Sequence, residues 1–267
     1  MFNKTIFLLS LGLIVSTNLL QTTLAARAVP PITIAQRRPV APRRRSLLRF
    51  KVPNVRGSRN LEAGAARGQC SPQGISAVLP AKPATMRARQ IPVELTLSAR
   101  PTFFVNVPET TAEQASFLLR NEAGDEILLE KTLNLTANKG IMSYTLPDDF
   151  SGLEVGQKYR WRFTLLCDPK GGDRSGDPAA SGWIERVEPT PDVAQQLKSA
   201  TDTERTLIYA DNGYWHDTLK IMADLKSANP RDMTLIRDWL DLFESAGLNA
   251  IANKPLIPFS TATTSNP

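Results

Sequence analysis

The sequence predicts an α+β protein in which an antiparallel β-sandwich is followed by a small helical module. Three observations lead there. Between Ile91 and Pro189 apolar residues recur with a period of two in short runs, after Pro189 the period lengthens to that of a helix, and Pro, Gly, Asn and Asp clusters punctuate both regions.

The chain opens with Lys4, an apolar run from Ile6 to Leu20, polar Gln21, Thr22 and Thr23, and small Ala25 and Ala26. That order predicts a secretory signal peptide over residues 1–26. Ser10, Gly12, Ser16, Thr17 and Asn18 interrupt the run, leaving it short of the roughly 20 predominantly apolar residues of a spanning helix. No later segment is long and apolar enough to span a bilayer. The expectation is an exported protein, periplasmic or extracellular, with no transmembrane segment after cleavage.

Residues 27–67 follow as a basic, Pro- and Arg-rich arm with eleven Lys or Arg against Glu62 alone, a net charge of +10. The whole chain carries +6 and Lys4 accounts for one charge, so residues 68–267 carry −5. With no sustained apolar period, the arm is expected to be a disordered tether. Its charge suits an anionic envelope polymer or an anionic lipid surface. Nucleic acid would attract it equally, but an exported chain does not meet any.

The sandwich is expected over 68–190. Its runs are "VELTLSA", "TFFVNV", "ASFLLRN", "EILLEKTLNL", "IMSYTL", "KYRWRFTLLC" and "GWIERVE", rich in β-branched and aromatic residues. Seven strands in about a hundred residues fit an immunoglobulin-like or fibronectin-like sandwich. "NEAGDE" reads as a hairpin connection, because Gly124 permits a positive φ. In "LEVGQKYRW" a leucine, a turn glycine and a tyrosine at a strand start read as a tyrosine corner, with Tyr159 bonding back to the preceding connection. Parity turns Tyr159, Trp161, Phe163, Leu165 and Cys167 inward and Arg160, Arg162 and Thr164 outward.

The helical module is expected over 191–256, with a disordered tail at 257–267. Thr201 and Glu204 are spaced as a capping box, and Gly213 stops that helix. The next places Trp215, Leu219, Met222 and Leu225 on one face and ends at Asn229-Pro230. The last aligns Ile236, Trp239, Leu240 and Phe243 and ends at Gly247. Ala210, Gly213, Tyr214, Leu219 and Pro230 give the middle segment a resemblance to the second half of a tetratricopeptide repeat. Only one such unit is visible, and stacked repeats need about three, so the helices are expected to pack on the sandwich or on one another.

Cys70 and Cys167 are the only cysteines, and in an exported chain they most simply form one disulfide. His216 lies between Trp215 and Asp217, but adjacent helical residues do not face each other, and it reads as a surface or packing residue. Asp168, Asp173 and Asp177 sit among glycines without the spacing of a calcium loop. Asp148-Asp149 reads as turn chemistry. Arg160 and Arg162 form a candidate anion or ligand surface unless they pair with Glu185 or Glu188 on the next strand. No P-loop, dinucleotide fingerprint, HExxH or zinc-spaced cluster appears, and neither catalytic, cofactor nor metal residues are assigned.

The combination of "LSARPTFFVNVP", "LEVGQKYRWRFTLLCDP", "GWIERVEP" and "YADNGYWHDTLKIMADL" resembles the cyanobacterial family known as domain of unknown function 928, over about Cys70 to Leu256. The resemblance implies an exported cyanobacterial protein with no established activity, and carries over no catalytic residue or cofactor. The leading expectation is a noncatalytic envelope or periplasmic protein that binds a protein partner. The alternatives are a hydrolase or carbohydrate-active enzyme built on Asp148, Asp168 and Asp173, and a glycan-binding sandwich using Trp161 or Trp183.

Overall fold

Two β-sheets and a layer of helices stack on one another in the computed structural model, which describes residues 48–53, 69–82, 86, 90–170 and 174–258, and the backbone of 260–261. These residues belong to one compact unit, Arg45–Pro267. The leader, the arm at 27–47 and 54–67, and the end of the tail lie outside the described residues.

The strands are β1 (Ser76–Ala77), β2 (Val93–Thr96), β3 (Thr102–Val107), β4 (Gln114–Asn121), β5 (Ile127–Asn134), β6 (Gly140–Thr145), β7 (Lys158–Leu166), β8 (Ala179–Arg186), β9 (Leu256–Pro258) and β10 (Ser260–Thr261). One sheet has the order β10-β5-β4-β7-β8-β2 and the other β1-β3-β6-β9. Both are mixed, not purely antiparallel as expected, because β2 lies parallel to β8 and β9 parallel to β6. Each parallel pair joins strands separated by many intervening residues, and such a connection can return a strand in either direction. The seven expected runs all appear as strands. β1, β9 and β10 have only two or three residues each, too few for alternation to show.

Strand β7 has the predicted parity: Tyr159, Trp161, Phe163 and Leu165 are buried, while Arg160 and Thr164 are half-buried and Arg162 is exposed. The Glu154 amide donates to the Tyr159 hydroxyl at 2.8 Å, the bond back to the preceding connection that the sequence predicts. The β4–β5 hairpin turns at Gly124, whose φ is 82°. Trp161 folds its indole over Gly182 on β8, occupying the space a Cβ there would need.

Strand β3 breaks the alternation. All six of its residues are buried. Phe103, Val105 and Val107 join the core between the sheets, with Phe117, Trp161, Phe163 and Leu165; Phe104 faces the other way, toward the helices. Across the ladder Tyr144 and Met142 pair with Phe103 and Val105, and Ile141 pairs with Asn106 on the helix side.

The helices are α1 (Pro191–Leu197), α2 (Asp202–Asn212), α3 (Trp215–Ala228) and α4 (Met233–Ser245). The Thr201–Glu204 capping box forms, and Gly213 ends α2 in the left-handed conformation at φ 78°. Asp232 caps α4 through the amides of Thr234 and Leu235. Nothing in the sequence announces helix α1, since its seven residues bury only Val193. The stripe on α4 is also corrected: Leu235, Trp239, Leu242 and Phe243 are buried while Leu240 is 38% exposed. The packed face is rotated because Leu235 and Leu242, not Ile236 and Leu240, meet the helical core.

Two stretches expected to be disordered are packed. Leu48 and Phe50, inside the basic arm, are buried against Trp215, Leu242 and Phe243. At the start of the tail, Ile257 continues the pairing with β6 that begins at Leu256, the two pack against the two cores, and Ser260 and Thr261 pair with β5.

Cys70 and Cys167 are disulfide-bonded across 97 positions of sequence. The Cys70 carbonyl accepts from the Thr110 hydroxyl and the Thr111 amide, and the Cys167 amide donates to Asp177 at 3.0 Å. Replacing both cysteines with alanine is expected to destabilise the fold by roughly 4–5 kcal/mol on the chain-entropy account, read as a lower urea midpoint. Gly182→Ala places a Cβ 2.8 Å from the Trp161 indole. Overpacking of this kind costs about 1–3 kcal/mol, and the altered near-ultraviolet circular dichroism of the displaced indole would accompany the lower midpoint.

Candidate functional site

The helices leave part of the four-stranded sheet open beside α3. Two adjoining hollows, of 410 and 510 Å³, share Thr102, Thr145 and Lys220 and together form a groove. Its floor is made by the paired strands β3 and β6, where Thr102 faces Thr145 and Phe104 faces Ser143. The hydroxyls of Thr102 and Thr145 are bonded to each other at 2.7 Å. One wall is α3, from His216 to Ser227, and β9 forms part of the other. Eleven helical rises make this wall about 16 Å long.

The head of the groove is where α3 meets β2 and β3. His216 is 2% exposed, with its ring edge-on to Phe103 and its Nδ1 3.0 Å from the Thr102 carbonyl. A carbonyl only accepts, so Nδ1 carries the proton and Nε2 is the bare acceptor. Nε2 is buried without a hydrogen-bond partner. Burial lowers the imidazole from 6.5 to about 4, against the opposing pull of the Thr102 bond, so the ring is neutral near pH 7. Asp217 turns away from it and accepts from the Leu97 amide at 3.1 Å. Burial raises this carboxyl from 3.8 to about 6, despite the hydrogen bonds from Leu97 and the Thr96 side chain that pull it down. The two neighbours thus form no dyad, as helical geometry predicts.

Arg100 closes the head of the groove. Its Nε donates to the Pro147 and Phe150 carbonyls at 3.2 and 2.9 Å, and its Nη2 to the Asp148 carbonyl at 3.2 Å, clasping the β6–β7 turn. Lys220 is paired with Asp224 one turn along α3. Glu94 lies behind this junction on the inner face of β2, in register with Ile184 and Tyr159. It is 2% exposed, its Oε2 has no partner, and burial raises the carboxyl from 4.5 to about 8.

Sequence reasoning missed Glu94, because "VELTLSA" reads as a strand with one polar face. In the fold Val93, Glu94 and Thr96 are all buried, and α3 packs on this edge strand. Arg100 and Lys220 carried no signal beyond their charge, and only the tertiary fold brings them together.

The residues singled out in the sequence do not converge. Arg160 donates from Nε to the Glu122 carbonyl at 3.0 Å and lies over the Trp183 ring at 4.7 Å. The register places Arg160 opposite Trp183 and Arg162 opposite Ser181, while Glu185 falls opposite Lys158. Asp148 lies in the β6–β7 turn, whose Asp149 shares a 640 Å³ hollow with Lys158 and Tyr159 at the start of β7. Asp168 follows the far end of that strand, where its carboxylate accepts from the Lys170 amide. A nine-residue strand separates the two ends by roughly 25 Å, so Asp148 and Asp168 cannot flank one bond. Asp173 lies outside the described residues. Asp177 is buried, held by the Cys167 amide and Arg174. Trp161 and Trp183 are 1% and 2% exposed, so neither offers a sugar-stacking face and that alternative is corrected.

A family profile described as Domain of Unknown Function (DUF928) matches residues 57–256. The chain belongs to the DUF928 family. The DUF928 match takes in β1 to β8, the four helices and the first residue of β9, and with them the whole wall of α3. No curated protein matches the chain.

The buried groups leave opposite signatures in stability against pH. Glu94 holds its proton more tightly when folded, so its contribution is complete below 4.5 and is lost as pH rises toward 8. His216 is held neutral, so its contribution is complete above 6.5 and is lost as pH falls toward 4. Glu94→Gln is expected to flatten the decline in urea midpoint between pH 6.5 and 8, a window above the Asp217 titration, and to leave the acid limb intact.

Proposed function

We propose that the protein is a noncatalytic, exported interaction protein of the cell envelope, with the groove along α3 as its recognition surface. One observation carries this reading: the titratable side chains at the head of the groove are committed to holding its walls. His216 is tied to the Thr102 carbonyl, Asp217 to the Leu97 amide and Arg100 to three turn carbonyls. Groups so engaged, with the bare Nε2 of His216 sealed from solvent, make a rigid surface for a partner, not a free acid and base.

The Cys70–Cys167 bond supports an oxidising compartment. No helix among the described residues is long and apolar enough to cross a membrane. The predicted leader and the basic arm complete the picture: the first directs export, and the second attaches the molecule to an anionic polymer or lipid surface. We read the two-sheet scaffold as immunoglobulin-like and α2 with α3 as tetratricopeptide-like, a pairing suited to presenting surfaces.

The tether and the groove are tested separately. Protein carrying the arm should sediment with phosphatidylglycerol vesicles at low salt and be released at high salt, and deletion of residues 27–47 should abolish sedimentation; retention without the arm removes the tether. For the groove, partners cross-linked to the wild type in an envelope extract should be lost with Lys220→Glu. Unchanged recovery would remove the groove from the proposal.

A further inference from the structure

Residues 48–53 lie before the family match yet complete the helical core. Leu48 and Phe50 are buried, Arg49 and Lys51 are exposed, and Val52 and Pro53 are half-buried. Burial every second residue is the signature of an extended peptide laid in a groove.

That groove is built by the end of α2, the start of α3 and the end of α4. Phe50 sets its ring edge-on to Trp215, with centroids 4.9 Å apart, and its amide donates to the Ser245 hydroxyl at 2.9 Å. The Lys51 amide donates to the Ala210 carbonyl at 3.0 Å, and its ammonium meets Asp211 at 2.9 Å on the exposed rim. Pro53 lies over the α2–α3 turn, where a Cβ on Gly213 would stand 2.7 Å from its ring. The groove therefore selects two apolar side chains two residues apart, a cation after the second, and a backbone that passes close over a glycine.

The grip is noncovalent: buried Leu48 and Phe50, half-buried Val52 and Pro53, two amide hydrogen bonds and an exposed ion pair. The ordering entropy of six backbone residues opposes the burial of these four side chains, two of them only in part, and is of comparable size. Without Leu48 and Phe50 the helical cluster still holds Ala210, Trp215, Leu219, Trp239, Leu242 and Phe243 as its larger part.

We propose that this groove is a peptide-recognition site, which the chain fills with its own residues 48–53 and yields to a basic, apolar, extended segment of a partner protein. The inference extends the interaction reading to a surface separate from the groove beneath α3. A site filled in cis binds a competitor more weakly by the fraction of molecules in which it is open, so the resident segment acts as a threshold on partner binding.

Hydrogen exchange on the chain lacking only the predicted leader tests the release. The Phe50 and Lys51 amides are expected to exchange at least tenfold faster than those in the centres of α3 and α4, through an opening insensitive to dilute urea. Exchange of all these amides together, at the rate of global unfolding, would overturn the proposal. A fluorescein-labelled synthetic peptide of residues 46–54 tests the site. Its binding, followed by anisotropy, should be at least tenfold tighter to the Phe50→Ser chain than to wild type, and lost when the peptide carries the same exchange. Equal binding to both chains, or none to a folded Phe50→Ser chain, would overturn it. If that variant does not fold, exchange in the wild type decides. Neither measurement involves Lys220, so failure here leaves the groove along α3 untouched.

Discussion

Phe103 and Phe104 leave one strand in opposite directions, and each enters a different core. Phe103 packs against Phe117 and Trp161 between the sheets, whereas Phe104 lies under the helices with Ile141 and Trp215. Strand β3 must therefore satisfy two packing problems with one backbone. A shift of one residue in its register would exchange the two faces and place Asn106 and Thr102 in the core between the sheets. The ladder with β6 fixes that register over six pairs, and the Trp215 indole, donating to the Val78 carbonyl at 2.8 Å, pins the helical layer to the same sheet.

The groove along α3 follows from this arrangement. A helix covers a stripe and a sheet is broad, so beside α3 the β6 hydroxyls of Ser143 and Thr145 remain accessible. His216 and Asp217 then serve as joints. Each uses a side-chain atom to hold a backbone group of the β2–β3 region, and each is displaced from its ordinary pKa by the burial that this requires.

Much of this was legible in the sequence, for local reasons. Alternation in "KYRWRFTLLC" identified the faces of β7, the Thr201–Glu204 spacing marked a helix start, and a lone cysteine pair pointed to a disulfide. What escaped was set by partners distant in sequence. Glu94 is buried on a strand against which α3, more than a hundred residues later, packs, and Leu48 and Phe50 are ordered only because α2, α3 and α4 form a receptacle for them. Local composition correctly described the surroundings of those two residues as basic and Pro-rich, but a run as short as "LLRFKV" is too brief to announce a packed segment. The parallel strands β2 and β9 were illegible for a related reason, since direction depends on where a connection returns and not on the residues within the strand.

The placement of β9 also bears on the order in which the molecule can be completed. A polypeptide is synthesised from its N-terminus, and β3 and β6 emerge long before Trp215 and Leu256, which cover and extend their sheet. Until then the chain can close the core between the sheets, but the side carrying Phe104 and Ile141 stays bare. Partly folded species with such surface exposed are prone to association. A nascent chain of this protein therefore has a built-in interval of vulnerability on one named face, which closes only when the helices and β9 have arrived.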